Sequence, residues 1–446
     1  MKTDDELKTN RRTFVKQTTA IAGGLMAAPF LSKAGYFNSV DDTIKIALIG
    51  CGGRGTGAAM QALLSKQNVK LVAMADAFKD RLDSCYASLT SEDNEEGNVK
   101  ARVEVPEANR FVGFDAYTKA MPLADVVILA TPPGFRPIHF TEAVRLGKHI
   151  FMEKPVATDP AGVKKVLEAA EIAKQKKLNV VVGLQRHYQN SYRELYKRVK
   201  DGAIGEITSG QVWWNNDGVW VNLRQPAQTE MEYQMRNWYY FNWLCGDHIN
   251  EQHIHNIDVM NWFKGGYPVK AQGMGGRQVR TGKEYGEIYD HHYVEYQYAD
   301  GTILNSQCRH IKGTYAKVDE QLVGTKGKMF AGDANLIGKN GKVLYQYDKT
   351  KENNPYQSEH DELFAAIAKG QYKFADAENG AKSTMTSLMG RMATYSGQII
   401  EWDKAINSGL DIMPATFAWD ANPPVLPDAN GFYPIATPGV TKYNLI

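Results

Sequence analysis

Residues 44–55 read Ile44-Lys45-Ile46-Ala47-Leu48-Ile49-Gly50-Cys51-Gly52-Gly53-Arg54-Gly55. The first six, β-rich and mostly apolar, predict a buried strand. Gly50, Gly52 and Gly55 then stand at GxGxxG spacing, residues 58–65 predict a helix, and residues 69–75 predict a second strand. Glycine at these positions lets the chain turn tightly, lets its backbone approach a pyrophosphate, and lets the helix pack close to the sheet. The start of the helix adds unpaired N–H groups for the phosphates. Such a glycine pattern is weak alone but specific between a strand and a helix. Asp76 ends the second strand, where a carboxylate takes the adenine ribose hydroxyls and repels a 2′-phosphate. The expected cofactor is therefore NAD, with Gly53, Arg54 and Arg81 joining the three glycines and Asp76 as candidate contacts.

The alternation continues outward. Residues 125–130 predict a buried strand, a helical stretch runs to 146, and residues 149–152 predict the next strand. This is the rhythm of a parallel α/β sheet. Residues 91–109 interrupt it with an acidic, turn-rich insertion that reads as a surface loop.

The whole chain has 446 residues, 43% apolar and 23% charged, with a formal net charge of +2. That is enough for two globular domains and too balanced for a nucleic-acid or acidic-membrane surface. Cys51, Cys85, Cys245 and Cys308 form no CxxC pair, so buried free thiols are expected rather than a disulfide framework or structural zinc.

At the N-terminus, Asn10-Arg11-Arg12-Thr13-Phe14-Val15-Lys16 resembles a twin-arginine export signal. An apolar run over 20–31 and Ser32-Lys33-Ala34 follow in the order a cleaved signal requires. A membrane span needs roughly 20 apolar residues, and this run is shorter. The expectation is a periplasmic mature protein without an integral membrane segment.

Further motifs point to a family. Ala130-Thr131-Pro132, Gly147-Lys148-His149, Glu153-Lys154-Pro155, Gly183-Leu184-Gln185-Arg186 and Gly202-Ala203-Ile204-Gly205-Glu206 occur in order. Together they resemble the glucose–fructose oxidoreductase / inositol dehydrogenase (Gfo/Idh/MocA) family. The N-terminal pattern gives a signal and linker over 1–40, and the resemblance implies a Rossmann domain over 43–155. It further implies an α/β domain with a large open, mainly antiparallel sheet over 156–410; beyond it, the Pro-rich tail over 411–446 is too aromatic for a disordered segment and is expected to wrap this protein or a neighbouring subunit. One face of the open sheet would cover the nicotinamide and the other would pair subunits in a homo-oligomer, a dimer or tetramer. Runs at 206–214, 269–276, 291–297, 303–308 and 319–323 read as its strands, and 377–406 as one long helical pattern.

The resemblance also assigns residues. Lys154 would reach the substrate hydroxyl, and a cationic nicotinamide would push it towards its neutral, basic form. Thr131, Pro132, Glu153, Lys154 and Gln185 would touch the cofactor. Arg136 stands where the family has a histidine, with His139 nearby as a substitute. The segment Glu251-Gln252-His253-Ile254-His255-Asn256-Ile257-Asp258 matches the family's catalytic histidine motif. It assigns His255 as that histidine and Glu251 as the acid before it. Glu replaces the usual Asp, and His253 the usual Gly. At i, i+4 spacing Glu251 and His255 would share a helical face, so that Glu251 could orient or charge His255; Asp258 reads as a brace.

Trp213, Trp214, Trp220, Trp238, Tyr239, Tyr240, Phe241 and Trp243 make residues 213–245 strongly aromatic. Either a sugar-stacking loop or packing at a contact explains them. Trp213, Arg186, His187, Arg236 and His255 are the candidate substrate contacts. His248, Glu251 and His255 lie within two helical turns, but without HExxH-type spacing no metal is expected. The implied activity is oxidation of a secondary hydroxyl on a sugar, glycoside or polyol by tightly held NAD. One alternative is an NAD-dependent glycosidase that oxidises sugar carbon 3 and then eliminates the aglycone; another is a sugar-binding relic that keeps its cofactor as structure.

Overall fold

Two sheets carry the molecule in the computed structural model, which describes residues 42–94 and 96–443. The twin-arginine segment lies outside the described residues. The first sheet holds β1 (Ile44–Ile49), β2 (Val69–Asp76), β3 (Arg110–Val112), β4 (Val126–Leu129), β5 (His149–Met152) and β6 (Val180–Val182). Their order is 3-2-1-4-5-6 and every pairing is parallel. Strands β4, β5 and β6 are buried at every position, as continuous apolar runs covered on both faces must be. The order reverses between β1 and β4, which opens a crevice at their carboxyl ends. The parallel sheet runs past residue 155 to β6, because the three-residue run Val180–Val182 completes it after a long intervening helix, Pro160–Gln175.

The second sheet has nine strands. These are β7 (Ile207–Asn216), β8 (Lys270–Gly276), β9 (His291–Gln297), β10 (Ile303–His310), β11 (Lys317–Gly324), β12 (Gly327–Phe330), β13 (Asn335–Gly338), β14 (Val343–Gln346) and β15 (Ile400–Glu401). The order is 14-13-12-11-7-10-9-8-15, antiparallel except for the parallel contact of β7 with β10. Helices Ile254–Lys264 and Ala377–Ser396 pack against it. Strands β12 to β14 are four residues each and carry little periodicity for a sequence reading to find.

Two expectations change, and the tail takes one of the two forms expected of it. The helical pattern over 377–406 is broken at Gly397, whose φ of +69° ends the helix Ala377–Ser396 in the left-handed region. The chain then forms β15 against β8. The 91–109 insertion is stitched to the Rossmann helix: Arg102 Nη1 donates to the carbonyls of Leu63, Ser65 and Gln67, and Val99 and Val105 are buried. The Pro-rich tail packs on its own chain, with Phe417, Trp419, Val425 and Tyr433 in one aromatic cluster with Phe135, Phe241 and Trp243. All four cysteines are free and buried.

Candidate active site

A cleft of about 630 Å³ opens at the carboxyl ends of β1, β2, β4 and β5. Its floor is the glycine loop. Gly50 has φ +96°, and a Cβ there would stand 2.6 Å from the carbonyl carbon of Ala130. A Cβ on Gly55 would stand 1.9 Å from the Gly50 oxygen, so Gly55 serves helix–strand packing and does not line the cleft. At Gly52 and Gly53 a Cβ would meet nothing within 4 Å, because both face the open cleft. No side chain caps the helix Gly53–Leu64, so its first N–H groups are left for an anion. This cradle fits a dinucleotide pyrophosphate.

Asp76 lines the cleft at the end of β2, where its carboxylate accepts from the N–H groups of Cys51 at 2.6 Å and Phe78 at 2.8 Å. Burial raises its pKa, opposed by those two hydrogen bonds. Arg81, Thr131, Pro132 and Glu153 also line it. Arg54 is held between carboxylates, with Nε 2.5 Å from Glu153 and Nη2 3.4 Å from Glu359. Arg136 is fully buried and ties the Thr131 carbonyl (2.6 Å) to the Glu153 carbonyl (2.9 Å). Burial pulls its pKa down to about 10. His139 sits 3.2 Å from the Thr131 hydroxyl, and burial followed by the Arg136 charge lowers it to about 3. Both residues thus line the cleft and brace the Thr131 turn.

Farther along, Lys154 Nζ donates to the Glu251 carbonyl at 2.6 Å and the Glu251 carboxylate at 2.9 Å. Burial raises the pKa of Glu251 and the Lys154 charge opposes it. His255 is also in the lining, with its ring 6.0 Å from that of Trp214 at 23°. Burial, then the charges of Lys154, Arg186 and Arg54, hold His255 well below the ordinary imidazole range. The imidazole is therefore neutral at pH 7. The expected helical pairing of Glu251 with His255 does not occur. The helix His248–Glu251 ends before a new one begins at Ile254, so Glu251 turns to Lys154 and His255 Nδ1 has no hydrogen-bond partner.

Several expected contacts lie elsewhere. Trp213 is on the opposite face of β7 from Trp214, with Lys317 Nζ 3.6 Å from its ring centroid. Arg186 is committed to the buried Glu320, which also accepts from Tyr192 and Asn256. His187 Nε2 is 2.6 Å from Asp258, whose carboxylate also accepts from Asn379 and Ser383. Gln185 opens the short turn Gln185–Tyr188 and does not line the cleft. Arg236 does line it, over the Phe78 ring at 4.0 Å and with both Nη atoms 3.0 Å from Asp80. Trp220 and Trp238 form part of the wall, as do Gln252 of the histidine motif and Phe114, Tyr117 and Tyr356, which no local motif marks.

Metal chemistry finds a different cluster from the one the spacing suggested. Among the described residues, Asp247, His248 and His292 bring one potential ligand atom each within 4.8 Å. The Asp247 carboxylate already accepts from the His248 N–H and Nδ1, the Tyr289 N–H and the Tyr395 hydroxyl. Four donors fill its acceptor positions. The cluster is a buried hydrogen-bonded brace beneath the helix that carries Glu251.

Comparison with known proteins agrees with this geometry. The model of the oxidoreductase family with NAD-binding Rossmann fold matches residues 44–184, and that of the GFO/IDH/MocA C-terminal domain matches residues 192–330. Inositol 2-dehydrogenase of Rhizobium meliloti is 24% identical over 340 residues, covering 74% of this chain and 90% of that protein. A glycosyl hydrolase family 109 protein of Shewanella putrefaciens is 22% identical over 380 residues, covering 76% of this chain and 78% of that protein. Among solved structures, scyllo-inositol dehydrogenase from Lactobacillus casei, with bound NAD(H) and scyllo-inositol, superposes with a TM-score of 0.60 at 22% identity. The superposition covers 81% of this chain and all of that one, and shows a shared fold. With both halves matched in order, the chain belongs to the Gfo/Idh/MocA family of oxidoreductases, an NAD-binding Rossmann domain followed by the family's C-terminal domain.

Proposed function

We propose that the protein oxidises a secondary hydroxyl of a sugar, glycoside or polyol, with NAD as hydride acceptor. The observation that carries this reading is Lys154 paired with Glu251 beside a neutral His255, all in the cleft that begins at the glycine loop. Bound there, oxidised NAD supplies a hydride acceptor at carbon 4 of its nicotinamide. The chain's own task is the hydroxyl proton, which must leave as the hydride does. Lys154, anchored by Glu251, holds the hydroxyl oxygen and favours its deprotonation. His255, neutral and in the lining of the same cleft, is the partner of Lys154 in handling that proton. The relatives named inositol 2-dehydrogenase support a cyclic polyol or sugar as substrate.

A second reading is supported by the likeness to a glycosyl hydrolase family 109 protein and by Trp220 and Trp238 in the cleft wall. In it, oxidation at sugar carbon 3 acidifies the neighbouring C–H, the aglycone leaves by elimination, water adds across the carbon 1–carbon 2 double bond so formed, and the hydride returns to carbon 3. A panel of polyols and aryl glycosides separates the two. NADH without aglycone marks the dehydrogenase, aglycone without net NADH marks the glycosidase, and neither product rejects both.

Export and assembly complete the proposal. The order of Arg11-Arg12, apolar run and small residues supports twin-arginine export to the periplasm. Undiminished export of an Arg11→Lys, Arg12→Lys variant would reject it. The outer sheet face, with Trp213, Tyr293 and the 72%-exposed Met274, supports a homo-oligomer. A single-chain mass by light scattering would reject that.

A further inference from the structure

We infer that Glu359 is a positioning residue of the dinucleotide site, a neutral carboxyl group that holds the Arg54 guanidinium at the phosphate end of the cleft. The inference rests on the NAD-dependent reading of that cleft and not on the identity of the substrate.

Arg54 stands in the first turn of the helix Gly53–Leu64 and lines the cleft. A guanidinium carries five N–H donors in a fixed fork. Nε donates to Glu153 at 2.5 Å, Nη1 to the Gln61 side chain at 3.0 Å and Nη2 to Glu359 at 3.4 Å. Two donors remain, beside the helix start that suits a pyrophosphate. Of the ion-paired trio only Arg54 is partly open to a ligand, with 33% of its side chain exposed.

Glu359 is fully buried and reaches Arg54 from the helix Pro355–Ala368. That helix packs on the helix Gly53–Leu64, and Gln357 Nε2 fastens the two by donating to the Gln61 carbonyl at 2.8 Å. Tyr356 lies on the cleft side, its ring centroid 5.2 Å from the guanidinium. An element from far along the chain thus grips the glycine loop's own arginine from behind.

Charge decides the state of Glu359. Two buried carboxyl groups, Glu153 and Glu359, share one guanidinium. Like charges in one site oppose double ionisation, so the pair keeps a proton. Glu153 makes the shorter contact, whereas Glu359 Oε2 is buried with no hydrogen-bond partner. An unpaired anionic oxygen in the interior is strongly unfavourable, which puts the proton on Glu359. Burial, then the Glu153 charge, push its pKa well above the carboxylate range, and Arg54 opposes them. The remaining neighbours do not reverse this. Asp376, which accepts from the Tyr188 hydroxyl at 2.8 Å, adds negative charge, and burial keeps His360 neutral.

A neutral Glu359 tethers Arg54 without cancelling its charge. An ionised one would leave the trio net negative beside the phosphates and repel them. Glu153 immediately precedes Lys154, so the same fork joins the phosphate end of the cleft to the strand end that carries the lysine.

The test uses the full-length protein with NAD alone and no substrate. Glu359→Ala should weaken NAD binding about tenfold by calorimetry, the loss expected for a hydrogen bond to a charged group. Glu359→Gln, isosteric with the neutral acid, should recover most of that loss. Infrared difference spectra of wild type against Glu359→Gln at neutral pH should show one protonated-carboxyl carbonyl band, present only in the wild type. Thermal melts show which variants fold, and the Gln variant with its infrared band serves if the Ala variant does not. Absence of that band, a Gln variant as weak as a folded Ala variant, or a folded Ala variant that binds like the wild type would each overturn the inference. Failure of the wild type to bind NAD at all would instead reject the cofactor reading beneath it.

Discussion

Lys154 and His255 line the same cleft from opposite halves of the chain. Lys154 donates to Glu251, while burial keeps His255 neutral. General acid–base groups contribute about 10² to 10⁴ in rate. Lys154→Ala and His255→Ala should each cut turnover within that range while NAD binding survives, as read by steady-state kinetics and NAD titration. The double variant should lose less than the product of the two, because the groups act as a unit. Near-normal turnover of Lys154→Ala on an established substrate would sink this mechanism. The glycine loop makes a sharper residue-scale contrast. Gly52→Ala adds a methyl to open cleft at an ordinary φ of −72°, so it should leave the melting temperature unchanged and weaken NAD binding. Gly55→Ala drives a methyl into the Gly50 carbonyl and should cost stability by about 1–3 kcal/mol or more. Equal melting temperatures for the two variants would contradict the roles assigned here.

At the scale of elements, the aromatic segment is held in place by buried polar anchors. Glu287 accepts from the Asn242 N–H at 2.7 Å, and burial raises its carboxyl to about 7, opposed by that hydrogen bond. A folded pKa above the ordinary 4.5 means the associated stability is full below that value and is lost as pH rises through 7. The loss approaches about 3 kcal/mol. Glu287→Gln keeps an acceptor for Asn242 and lacks the titration. Urea denaturation should therefore show the variant gaining on the wild type between pH 5 and pH 8. A constant difference across that range would refute the assignment. Element boundaries were legible where one local rule governed them, as in the strand at 291–297. They were not legible where a single residue turned the chain, as at Gly397, or where two helices met inside one motif, as between Glu251 and His255. Strand alternation did contain the choice between Trp213 and Trp214, since only one of two adjacent residues can face the cleft. Which one required knowing which face of β7 is covered.

For the molecule as a whole, the cleft is the joint between both halves, so ligand binding should report on global stability. NAD at a hundred times its Kd should stabilise the protein by about 2.7 kcal/mol in equilibrium denaturation. NADP at the same concentration should do less, because Asp76 repels its 2′-phosphate, and Asp76→Ala should narrow that gap. Equal stabilisation by the two dinucleotides would remove Asp76 from the ribose. The sequence by itself determined the strand–glycine loop–helix unit, the acid at the end of β2, the order of the two domains and the presence of Lys154 and His255 in one site. The first two follow from steric demands and periodicities that act between near neighbours along the chain, and the last two from the likeness of ordered motifs to a known family. Only the tertiary structure decided that Arg186 and His187 are paired with the buried Glu320 and Asp258, that Glu251 bonds to Lys154, and that Trp419 of the tail packs on Phe78 and Phe114. Those outcomes depend on pairings such as Arg54 with Glu359, 305 residues apart. A buried charge takes whichever partner the finished packing brings within reach, and no local spacing records that choice.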